Sequence, residues 1–332
     1  MKLSLRLAVS LGVAAVLLAG LTAVGGVRPP EILERLGRLS LRSYAAALGL
    51  TVAVYVFRAL RFRALLPEGS RPGFAALLSI TSSYTMASVI LPAKIGEASF
   101  VVYSGRAADV PAAEAFASLL VARLLDLATL ALGMAAACLA LAATHAYTGL
   151  PWLGPLGAGL LPASLLLFAA GARGDLLVRL ASWASRVLGF GRTRTGVRVL
   201  AASERLGEAL RAAGATGRLL QAILFSLPAW ACVFLYCGVL ARGLGLPAET
   251  SFAQATFGSG LAILTTLLPV SAFANFGTLE AGWVLGFHAL GVGTDLATST
   301  GVGLHLVQIG NTVLLGVLGH VGMALAVHRP KA

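Results

Sequence analysis

The sequence predicts an all-α polytopic membrane protein made of two inverted-topology repeats, each with three transmembrane helices plus a re-entrant or hairpin element. Composition is the first ground: 58% of the 332 residues are hydrophobic and 11% are charged, where soluble domains carry about 25% charged residues. The second is the recurrence of apolar runs of spanning or near-spanning length along the whole chain. The third is a repeated interruption, LPAKIGE at 91–97 and LPVSAFANFGTLE at 268–280. Each sets Leu-Pro at the end of an apolar run, then a Gly, then a carboxylate, Glu97 or Glu280, followed by more apolar sequence. Proline- and glycine-broken helices at corresponding places in two halves point to a transporter site.

In chain order, residues 7–27 behind Lys2 and Arg6 read as a retained first helix. Their apolar stretch exceeds that of a signal peptide and runs into Arg28-Pro29-Pro30 instead of a small-residue cleavage site. Further apolar segments follow at about 43–60, 73–91, 94–106, 114–143, 152–171, 218–241, 251–268, 278–292 and 296–327. Basic clusters decide which of them cross, because short cytoplasmic loops concentrate Lys and Arg. Lys2 and Arg6, then Arg58, Arg61, Arg63 and Arg71, then nine Arg between 172 and 218, then His328, Arg329 and Lys331 form four such clusters. With all four inside, the chain leaves and returns between 71 and 114 without a net crossing, so 73–91 and 94–106 form a hairpin turning at Pro92. The segments 251–268 and 270–292 form a second hairpin, entered from the other side. The repeats are therefore 1–148 and 149–332, the latter holding a cytoplasmic basic amphipathic insert at 172–217. The loop at 28–42 votes against this scheme, being external yet carrying Arg28, Arg35, Arg38 and Arg42.

The net charge of +12 and a pI near 10.6 match an anionic lipid surface better than nucleic acid, since no nucleic-acid module is present and the Arg clusters flank spans. Cys138, Cys232 and Cys237 lie in apolar runs without ligand spacing, so they read as small core residues and not as a disulfide or metal framework. No P-loop, GxSxG, HExxH or strand-linked GxGxxG occurs. GWVLG at 282–286 is consistent with close helix packing.

An ionised side chain near the bilayer centre costs roughly 2.5–3.5 kcal/mol on insertion scales, so those present are paired, hydrated or needed. Lys94 and Glu97 fall in the first turns of a helix beginning after Pro92, whose N-terminal N–H groups favour an anion such as a phosphate. Arg123 and Asp126 are spaced i, i+3 within the run 118–143. They can pair with each other, or Arg123 can face a cavity and hold a phosphate with Asp126 orienting it. Asn275, Gly277 and Glu280 occupy the matching break in the second half. His305, Gln308 and Thr312, with Asn311 nearby, make a polar stripe that either hydrogen-bonds between helices or lines a cavity. The candidate substrate-binding residues are thus Lys94, Glu97, Arg123, Asp126, Asn275, Glu280 and Gln308.

These residues carry a resemblance to the lysylphosphatidylglycerol synthase transmembrane region, a flippase-like family that includes the membrane half of the multiple peptide resistance factors. RALRFRALL at 58–66 is similar to the family's basic exit of the second helix, LPAKIGE at 91–97 to LPxRxGE, VARLLDL at 121–127 to xERxxDL, and LPVSAFANFGTLEA at 268–281 to LPxPGGxGxxEA. The departures are Ala122 for Glu, Lys94 for Arg, and Ser271-Ala272-Phe273-Ala274-Asn275 for the second Pro and paired Gly. No soluble aminoacyltransferase segment accompanies these motifs. The resemblance implies a flippase that moves a phospholipid-type or polyprenyl-phosphate-linked head group between leaflets of the cell membrane; the basic clusters put both termini on the cytoplasmic side. A membrane transferase acting on a lipid-linked sugar or amino acid, and an accessory subunit of an envelope-lipid pathway, are the competing readings. Membrane lipids are the expected partners, no cofactor is called for, and a homodimer stays open.

Overall fold

The computed structural model describes residues 29–91, 95–144, 149–172, 208–213, 215–266 and 273–327. The expected helix at 7–27, Lys94, most of the insert at 172–217 and both termini lie outside the described residues.

No strand occurs among the described residues; besides a helical stretch at 208–213 and short 3-10 turns at Glu68–Ser70 and Phe273–Asn275, they are built from ten α-helices. They are α1 (Pro29–Arg38), α2 (Leu41–Leu65), α3 (Phe74–Ile90), α4 (Ile95–Ala108), α5 (Ala112–Ala143), α6 (Leu153–Ala172), α7 (Thr216–Gly243), α8 (Phe252–Thr265), α9 (Thr278–Ala289) and α10 (Thr294–Val327). Local chemistry sets several of the starts. Ser40 caps α2 by accepting from the Ser43 N–H, and Ser251 and Gln254 form a reciprocal capping box on α8.

Length separates the helices into two kinds. Leu41–Leu65, Ala112–Ala143, Leu153–Gly171, Gly217–Gly243 and Thr294–Leu325 are long and apolar enough to cross a membrane. By contrast the 14 residues of α4 and of α8 reach about 21 Å at 1.5 Å per residue, short of the ~30 Å hydrocarbon core. Helix α3 packs against α4, and α8 against α9.

Small residues bring the hairpin arms together. A Cβ added to Gly96 would stand 2.1 Å from the Ala87 carbonyl oxygen on α3, and one added to Gly282 would stand 2.6 Å from that of Leu261 on α8. Gly286 likewise sits against the Gly258 backbone, so the 282–286 pair is a packing surface. Between halves, α2 lies along α7, α3 packs on α10, and α8 packs on α5. Gly316, Gly319 and Gly322 let α10 approach Met86, Ser79, Ser82 and Ser83 of α3. One buried cluster collects Leu130, Cys138, Phe234, Cys237, Phe257, Trp283 and Phe287, and a second collects Phe62, Leu65, Ile80, Tyr84, Phe100 and Leu125. Cys138 and Cys237 are free and buried, as expected of small core residues.

Candidate functional site

Between the two hairpins lies a cavity of about 460 Å³. Its wall draws on α2 and α7, on α5 and α10, and on both short helix pairs, and includes Glu97, Arg123, Asp126, Asn275 and Gln308.

The polar side is a linked set of ion pairs. Arg123 Nε and Nη2 reach the two Glu97 oxygens at 3.2 and 3.1 Å, so α5 is tied to α4. Its Nη1 donates to Asp126 Oδ2 at 3.4 Å, the i, i+3 contact that the spacing allows. Asp126 also receives a fork from Arg61 on α2, with Nη1 at 2.6 Å from Oδ1 and Nη2 at 3.3 Å from Oδ2, and the Trp230 indole N–H of α7 donates to Oδ1 at 2.9 Å. Three helices therefore converge on one carboxylate. Buried carboxylates with this many charge-assisted donors are held firmly in place.

Both readings of the Arg123–Asp126 pair hold at once, since the two residues touch each other and line the cavity. The polar stripe on α10 divides. Gln308 and Thr312 line the cavity, while Asn311 bonds to Tyr44 on α2 at 3.2 Å and Thr312 lies 3.5 Å from the Tyr55 hydroxyl.

Glu280 is not on the cavity wall. It is fully buried, accepts from the Gly277 N–H through Oε2 at 2.7 Å and contacts His305 Nδ1 through Oε1 at 2.6 Å, with Phe276 packed on the His305 ring. Its carboxylate caps α9 and fastens that helix to α10, one layer behind Asn275 and Leu279.

Two further corrections concern α2, whose Arg58, Arg61 and Arg63 read as one loop-side cluster in the sequence. Arg63 is exposed, but Arg61 is 1% exposed and buried against Asp126, and Arg58 lines the cavity. Helical phase carries the missing signal: positions 58 and 61 share a face with buried Phe62 and Leu65, whereas 63 points away. Trp230, which no charge pattern marks, completes the Asp126 shell.

The break before α9 is built without the expected glycine pair. Ala274 and Asn275 take left-handed φ of 52° and 60°, and Gly277 has φ of 84°. Counted back from Gly277, these two residues stand where the LPxPGGxGxxEA pattern has its Gly-Gly. Asn tolerates that region well; Ala does so under strain.

A comparison with curated proteins finds no match. The sequence profile described as Lysylphosphatidylglycerol synthase TM region matches residues 4–316, a stretch that takes in both hairpins and every described residue of the cavity wall. With nearly the whole length covered, the chain belongs to the lysylphosphatidylglycerol synthase transmembrane-region family of lipid-related membrane proteins.

Proposed function

We propose that this protein is a lipid flippase that carries a phospholipid-type or polyprenyl-phosphate-linked head group through the cavity between its two hairpins. The observation that carries the reading is the cavity itself: a largely apolar pocket carrying a cluster of charged side chains, walled by short helix pairs and by spanning-length helices. A head group crossing the hydrocarbon needs such a lining, because each charge left in lipid is costly.

The repeat organisation, 1–148 and 149–332 related by an in-plane two-fold, draws support from matched contacts. Glu97 is the third residue of α4 and reaches Arg123 on the following long helix, 26 positions on. Glu280 is the third residue of α9 and reaches His305 on its following long helix, 25 positions on. Each hairpin's first arm packs on the long helix of the other half. Rocking of one half against the other would alternate access to the cavity. The basic clusters support a plasma-membrane orientation with both termini cytoplasmic.

Catalysis finds less support, because Asp126 and Glu97 already hold arginines on their oxygens and leave no free general base on that wall. The test is transbilayer movement of tail-labelled lipids in vesicles containing the purified full chain, measured by dithionite quenching. Wild type accelerates exchange, and Arg123→Ala, which unlinks α4 from α5, reduces it at least tenfold. Appearance of a new lipid species on adding a sugar or aminoacyl donor would replace this reading with the transferase one.

A further inference from the structure

The charge inventory of the cavity singles out one side chain. Three guanidiniums, Arg58, Arg61 and Arg123, meet two carboxylates, Glu97 and Asp126, at or directly behind the wall. The carboxylates are committed to two of the three. Asp126 holds Arg61 by a two-point fork and takes Trp230 and Arg123 on its remaining sites, and Glu97 takes the Nε and Nη2 edge of Arg123. Arg58 lines the cavity, is half-buried, and donates no hydrogen bond and forms no ion pair to any described residue. It stands one turn before Arg61 on the same face of α2, three residues after Tyr55 and across from Tyr84 of α3, both of which also line the cavity.

An arginine at membrane depth with no hydrogen-bonding partner among the described residues is unfavourable until an anion or water answers it. We propose that Arg58 receives the phosphate of the transported head group, and that the cavity prefers anionic lipids, namely phosphodiester head groups without a compensating amine. This rests on the reading of the cavity as a lipid head-group site and names its substrate class. A free guanidinium edge offers two parallel N–H donors at the spacing of two phosphate oxygens. Arg123 cannot offer its Nε edge, which Glu97 occupies; it is a positioning residue that holds the wall together. A zwitterionic head group is disfavoured because its positive charge would meet Arg58 and Arg123 on the wall, while the carboxylates that could answer it already hold arginines.

The experiment uses the full chain in vesicles with tail-labelled phosphatidylglycerol or phosphatidylcholine, alongside native mass spectrometry of the detergent-purified protein with the same two lipids. Wild type is expected to move phosphatidylglycerol at least tenfold faster than phosphatidylcholine and to retain it preferentially as an adduct. Arg58→Gln erases both preferences while the thermal unfolding midpoint stays at the wild-type value, since Arg58 bonds nothing in the fold. Arg58→Lys keeps part of the preference, as a point charge without the planar fork. An unchanged lipid preference in Arg58→Gln, in movement or in adducts, overturns the assignment. If wild type moves neither lipid yet binds phosphatidylglycerol through Arg58, the flippase reading fails and the binding assignment stands. Uptake of labelled inorganic phosphate into the same vesicles, with no lipid preference, would assign Arg58 to a soluble anion and overturn the lipid class.

Discussion

Two arginines on α2, separated by a single residue, have opposite fates. Arg63 is exposed, and its removal leaves no partner unsatisfied. Arg61 is 1% exposed and holds Asp126 at 2.6 Å from within the helix bundle. Replacing a buried pair by apolar residues is often neutral, but removing one member strands the other charge and costs about 3–5 kcal/mol. Arg61→Ala is therefore expected to destabilise the protein by about that amount, leaving Asp126 to Arg123 and Trp230, whereas Arg63→Ala should fall within about 0.5 kcal/mol of wild type. Thermal unfolding of the two variants side by side in one detergent checks this. Equal effects would mean that the Arg61–Asp126 pair contributes nothing to the fold.

Among the elements, the segment entering α9 is the most unusual. The chain turns through two consecutive left-handed non-glycine residues, Ala274 and Asn275, before Gly277 and the Glu280 cap begin the helix. For alanine that conformation is unfavourable by roughly 1–2 kcal/mol. Ala274→Gly is expected to stabilise the protein by about 0.5–1 kcal/mol, the relief of strain being partly offset by the greater freedom of glycine in the unfolded chain. The measurement is again the unfolding midpoint, and a fall after Ala274→Gly would contradict the left-handed assignment. Further along the same helix pair the constraint is tighter: Gly282 and Gly286 have no room for a side chain against α8, so close approach of α8 and α9 depends on small residues more than on charge.

For the whole molecule the testable quantity is orientation. With α2 ending inside, Glu68 lies on the cytoplasmic side and Glu249, in the turn between α7 and α8, on the outer side; both are exposed. In a background lacking Cys138, Cys232 and Cys237, Glu249→Cys is expected to react with a membrane-impermeant maleimide in intact cells, and Glu68→Cys only after permeabilisation. External labelling at Glu68 would reverse the orientation, and labelling of both positions from one side would remove the inverted arrangement of the halves.

Much of this architecture was legible in the sequence because the bilayer imposes few and strong rules. Backbone groups in lipid must bond within a helix, so apolar runs locate the helices, the basic clusters between them set apart the runs expected to pair as hairpins, and Leu-Pro followed by Gly marks the break in each pair. Glu97, Arg123 and Asp126 declare themselves as charges within apolar sequence, and they do meet. The partners of those charges were another matter. Arg58 and Arg61 looked like loop-side arginines because the positive-inside rule counts charge without regard to helical phase, and Trp230 carries no charge to count. Glu280 looked equivalent to Glu97, yet His305 opposite it draws it out of the cavity into a buried contact that holds α9 to α10. One-dimensional pattern reports which residues are costly to bury. Which of them face a common space, and which satisfy one another behind its wall, depends on the rotation and approach of helices far apart in the chain, and packing decides that.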